Sequence, residues 1–316
     1  MGDRPHVFDT QSAAVLQELD LVAQPCSVAA GDLLFVQGDP ADGAWLIDEG
    51  TVQLEMDIPG RAPTIIATVR PGDLLGEPAL MRTANRSLSA RATHDVVAQF
   101  IDRRDFQALL YGLRPASFRL LKRVAQSTAA YLADALAMTT DAQGRPPDCP
   151  PTEAGPRGPC DFDPRPFLGV LPFFADLGPR DADALLGEGT LCSAHRGETL
   201  VSAGCKTRSV WVVLRGAVEV MPPGASQRSS LLGPGHAVGV HPLLLDQPAP
   251  SHVRIRESAA LVEYTGDALH RLLAGETRAS FKFMDALTRD LLRSLDRANR
   301  GLARATLSRS LAADAE

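Results

Sequence analysis

The stretch Pro71-Gly72-Asp73-Leu74-Leu75-Gly76-Glu77-Pro78-Ala79-Leu80-Met81-Arg82-Thr83-Ala84-Asn85-Arg86-Ser87-Leu88-Ser89-Ala90-Arg91-Ala92 decides how this chain is read. A Pro-Gly pair opens it as a turn. A short strand-like run then ends in Gly76-Glu77. Pro78 stands where a first helical residue would stand, a place that suits proline because its missing N–H has no intrahelical partner there anyway. A single short helical turn, Pro78 to Met81, would leave its first N–H groups unpaired and so favour an anion by geometry and dipole. Arg86 follows nine residues after Glu77, on the far side of a loop, with a planar guanidinium suited to clamping a phosphate. The Glu77 carboxylate can accept a hydrogen bond from a sugar hydroxyl.

Outward from this stretch, the two halves of the chain repeat. Gly31, Gly38 and Gly50 are matched by Gly197, Gly204 and Gly216, each 166 positions later. The offset then falls to 163: Pro71-Gly72 matches Pro234-Gly235, Gly76 matches Gly239, and Ala116-Ser117-Phe118-Arg119 matches Ala279-Ser280-Phe281-Lys282. One length change, placed in a hairpin loop near residues 57–63, accounts for the drift. Glycine tolerates positive φ, so matched glycines imply matched turns. Between the halves, residues 139–166 are dense in Pro and Gly and read as a linker. The expected domains are 1–138, the linker 139–166, and 167–316.

Each half is expected to open with a short helix, around residues 11–20 and 180–186. Strand-length runs follow, rich in β-branched and aromatic residues: 33–36, 44–47 and 52–55 in the first half, 210–213 and 217–220 in the second. Strands at this spacing suggest a small barrel or jelly roll. Each half closes in helix, with Phe118, Leu121, Ala125, Thr128, Leu132 and Leu136 on one face, and Met284, Leu287, Leu291, Leu295, Ala298 and Leu302 on the other half's equivalent. The fold class expected is mainly β with flanking helices: two tandem β-barrel or jelly-roll domains, each followed by amphipathic helices. Those stripes either pack on their own domain or pair with a second chain in a coiled-coil-like seam.

The quoted stretch resembles the phosphate-binding cassette of the cyclic-nucleotide-binding domain family, whose members include catabolite-activator-type transcription factors and regulatory subunits of cyclic-AMP-dependent protein kinase. The resemblance covers roughly residues 11–138 and includes Gly31-Asp32, Gly38-Asp39 and Gly50 as well as the cassette. It implies that Glu77 binds the ribose 2′-hydroxyl and Arg86 the cyclic phosphate, with Gly76, Ala79 and Leu80 contributing backbone and Ser87 a hydroxyl. It also implies that the helix around residues 105–138 serves as a lid, with Tyr131 or a leucine of that helix capping the base. Pro78 departs from the family, which usually has an aliphatic residue there. The ligand implied is cyclic AMP, with cyclic GMP the alternative. In the second half Glu77 becomes Val240, Arg86 becomes Ala249 and Ser87 becomes Pro250, so that copy is read as degenerate, structural or partner-binding.

Composition bounds the rest. The chain has 316 residues, 45% hydrophobic and 22% charged, with net charge −6. That is an ordinary globular balance, and it argues against coating nucleic acid with the whole surface. Five cysteines and no CxxC argue against a disulfide framework or zinc site and fit a reducing, cytoplasmic setting. No run of about 18 apolar residues exists, so no membrane span is expected. His236, His241 and His252 near the degenerate cassette match no metal-ligand spacing, and no metal or cofactor is expected. The arginines of the last helix, from Arg278 to Arg309, keep nucleic acid or an anionic surface open as a minor option. No catalytic constellation stands out, so no enzymatic activity is expected. The chain ends soon after its last helix, where many bacterial relatives of the family would continue into a helix-turn-helix. The expected function is therefore a cytosolic cyclic-nucleotide receptor with one competent site, signalling through an unidentified protein partner or a homodimer formed by the C-terminal helices. The alternatives are an interaction protein that keeps the fold without binding nucleotide, and a transcription co-regulator lacking its own DNA reader.

Overall fold

The computed structural model describes residues 22–57, 60, 62–82, 84–113, 115–139, 158–221, 229–275 and 277–313. The helix expected at 11–20, most of the linker and much of the hairpin at 57–63 lie outside them. The chain divides into two compact units, one of residues 1–135 with 294–316 and one of residues 136–293.

In the first unit, β1 (Ala23–Val28), β2 (Leu33–Phe35), β3 (Pro40–Ala41), β4 (Gly43–Glu49), β5 (Val52–Met56), β6 (Thr64–Val69) and β7 (Leu74–Leu75) precede the single turn α1 (Pro78–Met81). After it come β8 (Ala84–Asn85), β9 (Ser89–Ala92), β10 (Val96–Asp102), α2 (Arg103–Tyr111) and α3 (Pro115–Thr139). The strands form antiparallel sheets ordered β1-β10-β4-β7 and β2-β9-β5-β6, with a small β3-β8 pair. Period-two alternation places Val52, Leu54 and Met56 of β5 in a core with Ile47, Val69, Leu75, Ala90 and Ala98. The α3 stripe Phe118, Leu121, Ala125, Thr128 and Leu132 is buried, as the helical period requires.

The second unit holds β11 (Gly158–Pro159), a 3-10 turn at Arg165–Val170, α4 (Pro179–Glu188), β12 (Thr190–Ala194), β13 (Thr199–Val201), β14 (Ser209–Met221), β15 (Ser230–Leu232), β16 (Ala237–Val238), α5 (Val240–Leu244), β17 (His252–Thr265) and α6 (Gly266–Ala274). It is closed by the first part of α7 (Arg278–Ala313). Its sheet runs β11-β12-β17-β14-β15, with β13 on β17 and β16 on β14. Gly158 and Pro159, at the end of the expected linker, pair with Ser193 and Cys192.

Three expectations are corrected. Helices and strands share the described chain about equally, and each sheet is an open path with free edges rather than a closed ring. The mainly β, barrel or jelly-roll description therefore does not hold. Alternation in sequence dictates which face of a strand is buried, but closure depends on shear and tilt that no local pattern encodes. The runs 210–213 and 217–220 also merge into the single strand β14, because Gly216, at φ +83°, is accommodated as a bulge opposite Glu257–Ala260. Cys205 is disulfide-bonded, so the odd cysteine count did not exclude a bridge.

The internal repeat is visible in the backbone. Gly31, Gly38, Gly50, Gly72 and Gly76 and their partners Gly197, Gly204, Gly216, Gly235 and Gly239 all have φ between +81° and +96°. Their hydrogen bonds recur too: Gly38 N donates to Arg86 O at 2.8 Å and Gly204 N to Ala249 O at 2.8 Å, while Gly72 N donates to Ile47 O and Gly235 N to Val213 O, each at 2.7 Å.

In the second unit the closing helix is fastened by Asp290. Its carboxylate is 2% exposed, accepts the Ala237 N–H at 3.0 Å and meets His236 Nδ1 at 3.0 Å. Asp290→Ala leaves a buried N–H without its acceptor, so we expect a loss of about 2–4 kcal/mol. Chemical denaturation of the full chain measures it.

Candidate functional site

The cassette residues converge on one pocket. Its wall includes Gly76, Glu77, Ala79, Arg86 and Ser87 from the cassette, Phe35 and Ala41 from the strands, and Tyr131 and Asp134 from α3. Leu80 is fully buried beneath α1 and is not part of that wall.

Glu77 follows β7 by two residues and holds the N-cap position of α1, 2% exposed. Burial pushes its carboxyl up to about 8, opposed by its own N–H, the Ser127 hydroxyl and the Gly76 N–H, while the Asp73 charge adds to the rise. Ser127 belongs to α3, so the carboxyl touches the helix as well as the cassette. One oxygen, Oε1, is buried without a hydrogen-bond partner among the described residues.

Arg86 is 6% exposed. Its guanidinium lies over the rings of Phe35 at 4.4 Å and Trp45 at 4.9 Å, a cation–π arrangement that desolvation strengthens. Nη2 donates to Asp42 Oδ1 at 3.2 Å. Burial lowers its pKa, and the Asp42 and Asp39 carboxylates act in the opposite sense. Its Nε is buried without an acceptor among the described residues. A Cβ at Gly76 would fall 2.7 Å from Arg86 Nη1, so a glycine at φ +84° is what lets the guanidinium pass. The structure thus brings a buried carboxyl and a buried guanidinium, each with an unsatisfied atom, to one concave site. Such a site matches a ligand carrying both a hydroxyl donor and an anion.

The expected free N–H groups of α1 are otherwise engaged. Ala79 N donates to Gly76 O at 3.0 Å and Leu80 N to Glu77 O at 3.0 Å. Ser87 is exposed at the pocket edge. Tyr131 donates its hydroxyl to Leu74 O at 3.2 Å, which pins α3 to β7.

The model of the family "Cyclic nucleotide-binding domain" matches twice, over residues 25–111 and 191–276, together more than half of the chain. The chain belongs to the cyclic nucleotide-binding domain family. It is similar to acetyltransferase Pat of Mycolicibacterium smegmatis, 33% identical over 120 residues, 38% of this chain and 35% of that protein. It is also similar to the type II regulatory subunit of cAMP-dependent protein kinase of Drosophila melanogaster, 40% identical over 81 residues, 25% of this chain and 21% of that protein. The chain thus spans about a third or less of the length of these curated relatives. A solved structure of the regulatory domain of Toxoplasma gondii PKA with cAMP aligns over 84% of this chain and 87% of its own, with 16% identity and TM-score 0.30.

Within this family frame, the second unit carries apolar residues at the positions matched to Glu77 and Arg86. Val240 and Ala249 are buried, and Ala249 shares a core cluster with Trp211, whose counterpart Trp45 faces the Arg86 guanidinium. The three nearby histidines do not converge. His236 bonds Asp290, His252 Nδ1 accepts from Ala203 N at 3.2 Å, and burial pushes His241 down to about 4. Three cations of α7 are ion-paired: Arg278 meets Asp181 at 2.7 Å, Arg289 meets Asp285 at 3.0 Å, and Arg293 meets Asp290 at 3.5 Å. Arg304 and Arg309 have side chains outside the described residues. No described helix is long and apolar enough to cross a membrane.

Sequence reasoning missed the residues that hold the two charged groups. Phe35 and Trp45 fall in expected strand runs, and nothing in the sequence singles out Asp42 or Ser127. Only the Trp45/Trp211 match at the repeat offset carried a signal.

Proposed function

We propose that the first unit is a cyclic-nucleotide receptor site, one per chain. Glu77 accepts the ribose 2′-hydroxyl and Arg86 takes the cyclic phosphate, with Ser87 at the phosphate edge and Gly76, Ala79 and Leu80 shaping the backbone around it. The observation that carries this reading is the pair of unsatisfied buried atoms, Glu77 Oε1 and Arg86 Nε, on one pocket. Burying polar atoms without partners costs on the order of 1–3 kcal/mol each, and a ligand that satisfies them recovers that cost.

Cyclic AMP is the preferred ligand in this reading. Family membership supports a cyclic nucleotide in general, and the name of the kinase regulatory subunit it resembles supports cyclic AMP. Output passes to a protein partner or a second copy through α3, whose Ser127 touches Glu77, in a cytosolic, non-catalytic regulator. The sequence domains are proposed as 1–138 and 167–316 around the linker, with residues 294–316 of the latter counted in the compact unit of the cassette. The rival reading, an interaction protein that keeps the frame and binds no nucleotide, draws on the engaged N–H groups of Ala79 and Leu80.

Calorimetry of the full chain with cyclic AMP and cyclic GMP decides between them. We expect one nucleotide bound per chain, with cyclic AMP the tighter. No heat and no thermal shift at millimolar nucleotide would refute the receptor reading.

A further inference from the structure

The pocket has a wall that belongs to neither the cassette nor α3. Leu295, Asp296 and Asn299 of α7 line it, and residues 294–316 are part of the same compact unit as the cassette. Residues 295 and 299 stand one helical turn apart on one face, with 296 beside them. Leu295 is buried. Asp296 pairs with Arg82, the residue that follows α1. Both side chains are only partly exposed, 34% for Arg82 and 25% for Asp296. Arg82 Nε is buried and has no acceptor among the described residues.

We propose that the segment Leu295–Asn299 is the base-side wall of the nucleotide pocket, with Asn299 reading the edge of the base and the Arg82–Asp296 ion pair fastening the segment in place. This rests on the receptor reading above. Glu77 and Arg86 occupy the sugar-phosphate end of the pocket, so the base must lie towards its other lining residues. Leu295 and the Tyr131 ring offer apolar surface for a flat aromatic base, the usual character of a small-molecule site. Asn299 presents a donor and an acceptor side by side. That pair matches the N6 donor and N7 acceptor of adenine, whereas guanine presents two acceptors, O6 and N7, on the same edge. Asn299 is thereby the specificity-determining residue, and it favours adenine. Nucleotide in the pocket and the docked C-terminal segment then stabilise each other by linkage.

The test uses the full chain, with dissociation constants for cyclic AMP and cyclic GMP and amide hydrogen exchange over residues 294–301. Asn299→Ala is expected to weaken cyclic AMP about tenfold and cyclic GMP far less. Asp296→Asn is expected to weaken both about fivefold and to speed exchange in 294–301 without ligand. The charge-reversed double variant Arg82→Asp/Asp296→Arg is expected to restore slow exchange. Equal losses for both nucleotides in Asn299→Ala would overturn the specificity role. Unchanged exchange in Asp296→Asn would overturn the fastening. If the wild-type chain binds neither nucleotide, the receptor reading and the base-reading role fail together, and the ligand-free exchange result alone reports whether the fastening stands.

Discussion

Replacing Arg86 with Met is expected to remove nucleotide binding while leaving the fold as stable as before, or more so. Truncating one partner of a buried charge pair costs about 2–5 kcal/mol of binding, a factor of roughly 30 to several thousand. The folded chain loses little in exchange. The only ionic partner of the guanidinium among the described residues, Asp42, is 70% exposed and returns to water when released. Met fills a similar volume between the Phe35 and Trp45 rings and no longer has to be desolvated as a cation. Calorimetric titration with cyclic AMP and a thermal melt of the same samples test both halves. Binding at wild-type affinity by Arg86→Met would show that the phosphate is held elsewhere. Loss of folding would make Arg86 a structural residue.

Glu77→Gln carries the second large effect, and its sign depends on pH. The Glu77 carboxyl sits at about 8, against 4.5 for an unperturbed glutamate. Between those values the folded state holds a proton that the unfolded chain has lost. The stability contributed is therefore complete below about pH 4.5 and is lost as pH rises through about 8. The span corresponds to roughly 5 kcal/mol at alkaline pH. The wild-type melting temperature is expected to fall from pH 5 to pH 9, and Glu77→Gln to flatten that slope. Ligand acts on the same proton. A ribose hydroxyl donates to the ionised carboxylate, so cyclic AMP should bind more tightly as pH rises towards 8, with release of up to one proton per nucleotide. Titrations in buffers of different ionisation heat read that proton. A pH-independent melting temperature in the wild type would mean that Glu77 is ionised in the folded state.

What was legible in the sequence was whatever the backbone forces locally. Gly76 and Gly239 had to be glycine because the chain turns through φ +84° at both, and a residue with a side chain rarely adopts that conformation. The α3 stripe was legible because burial follows a 3.6-residue period. The cassette pair Glu77 and Arg86 was legible as chemistry, from residue type and spacing. Sheet closure was not, since alternation is the same in an open sheet and a closed one. Nor were Asp42, Ser127 or Asp296, which sit 44, 50 and 214 positions from the cassette residues they meet. Nothing near them in sequence marks those meetings. The fate of Gly216 was also hidden, because a left-handed glycine can end a strand or bulge inside one. Only the partner strand β17 decides which.

The two halves differ at one matched position in a way that gives the chain an internal reference. Ser127 and Asp290 lie 163 residues apart. In the first unit that position touches the Glu77 carboxyl, which burial pushes up to about 8. In the second it is Asp290, whose carboxyl meets His236 Nδ1 and accepts the Ala237 N–H. The same helix position thus meets a titratable pocket group in one unit and a backbone N–H in the other. In the receptor reading, Ser127 answers to ligand and pH through Glu77, and the Asp290 position, with Val240 where Glu77 stands, is the comparison.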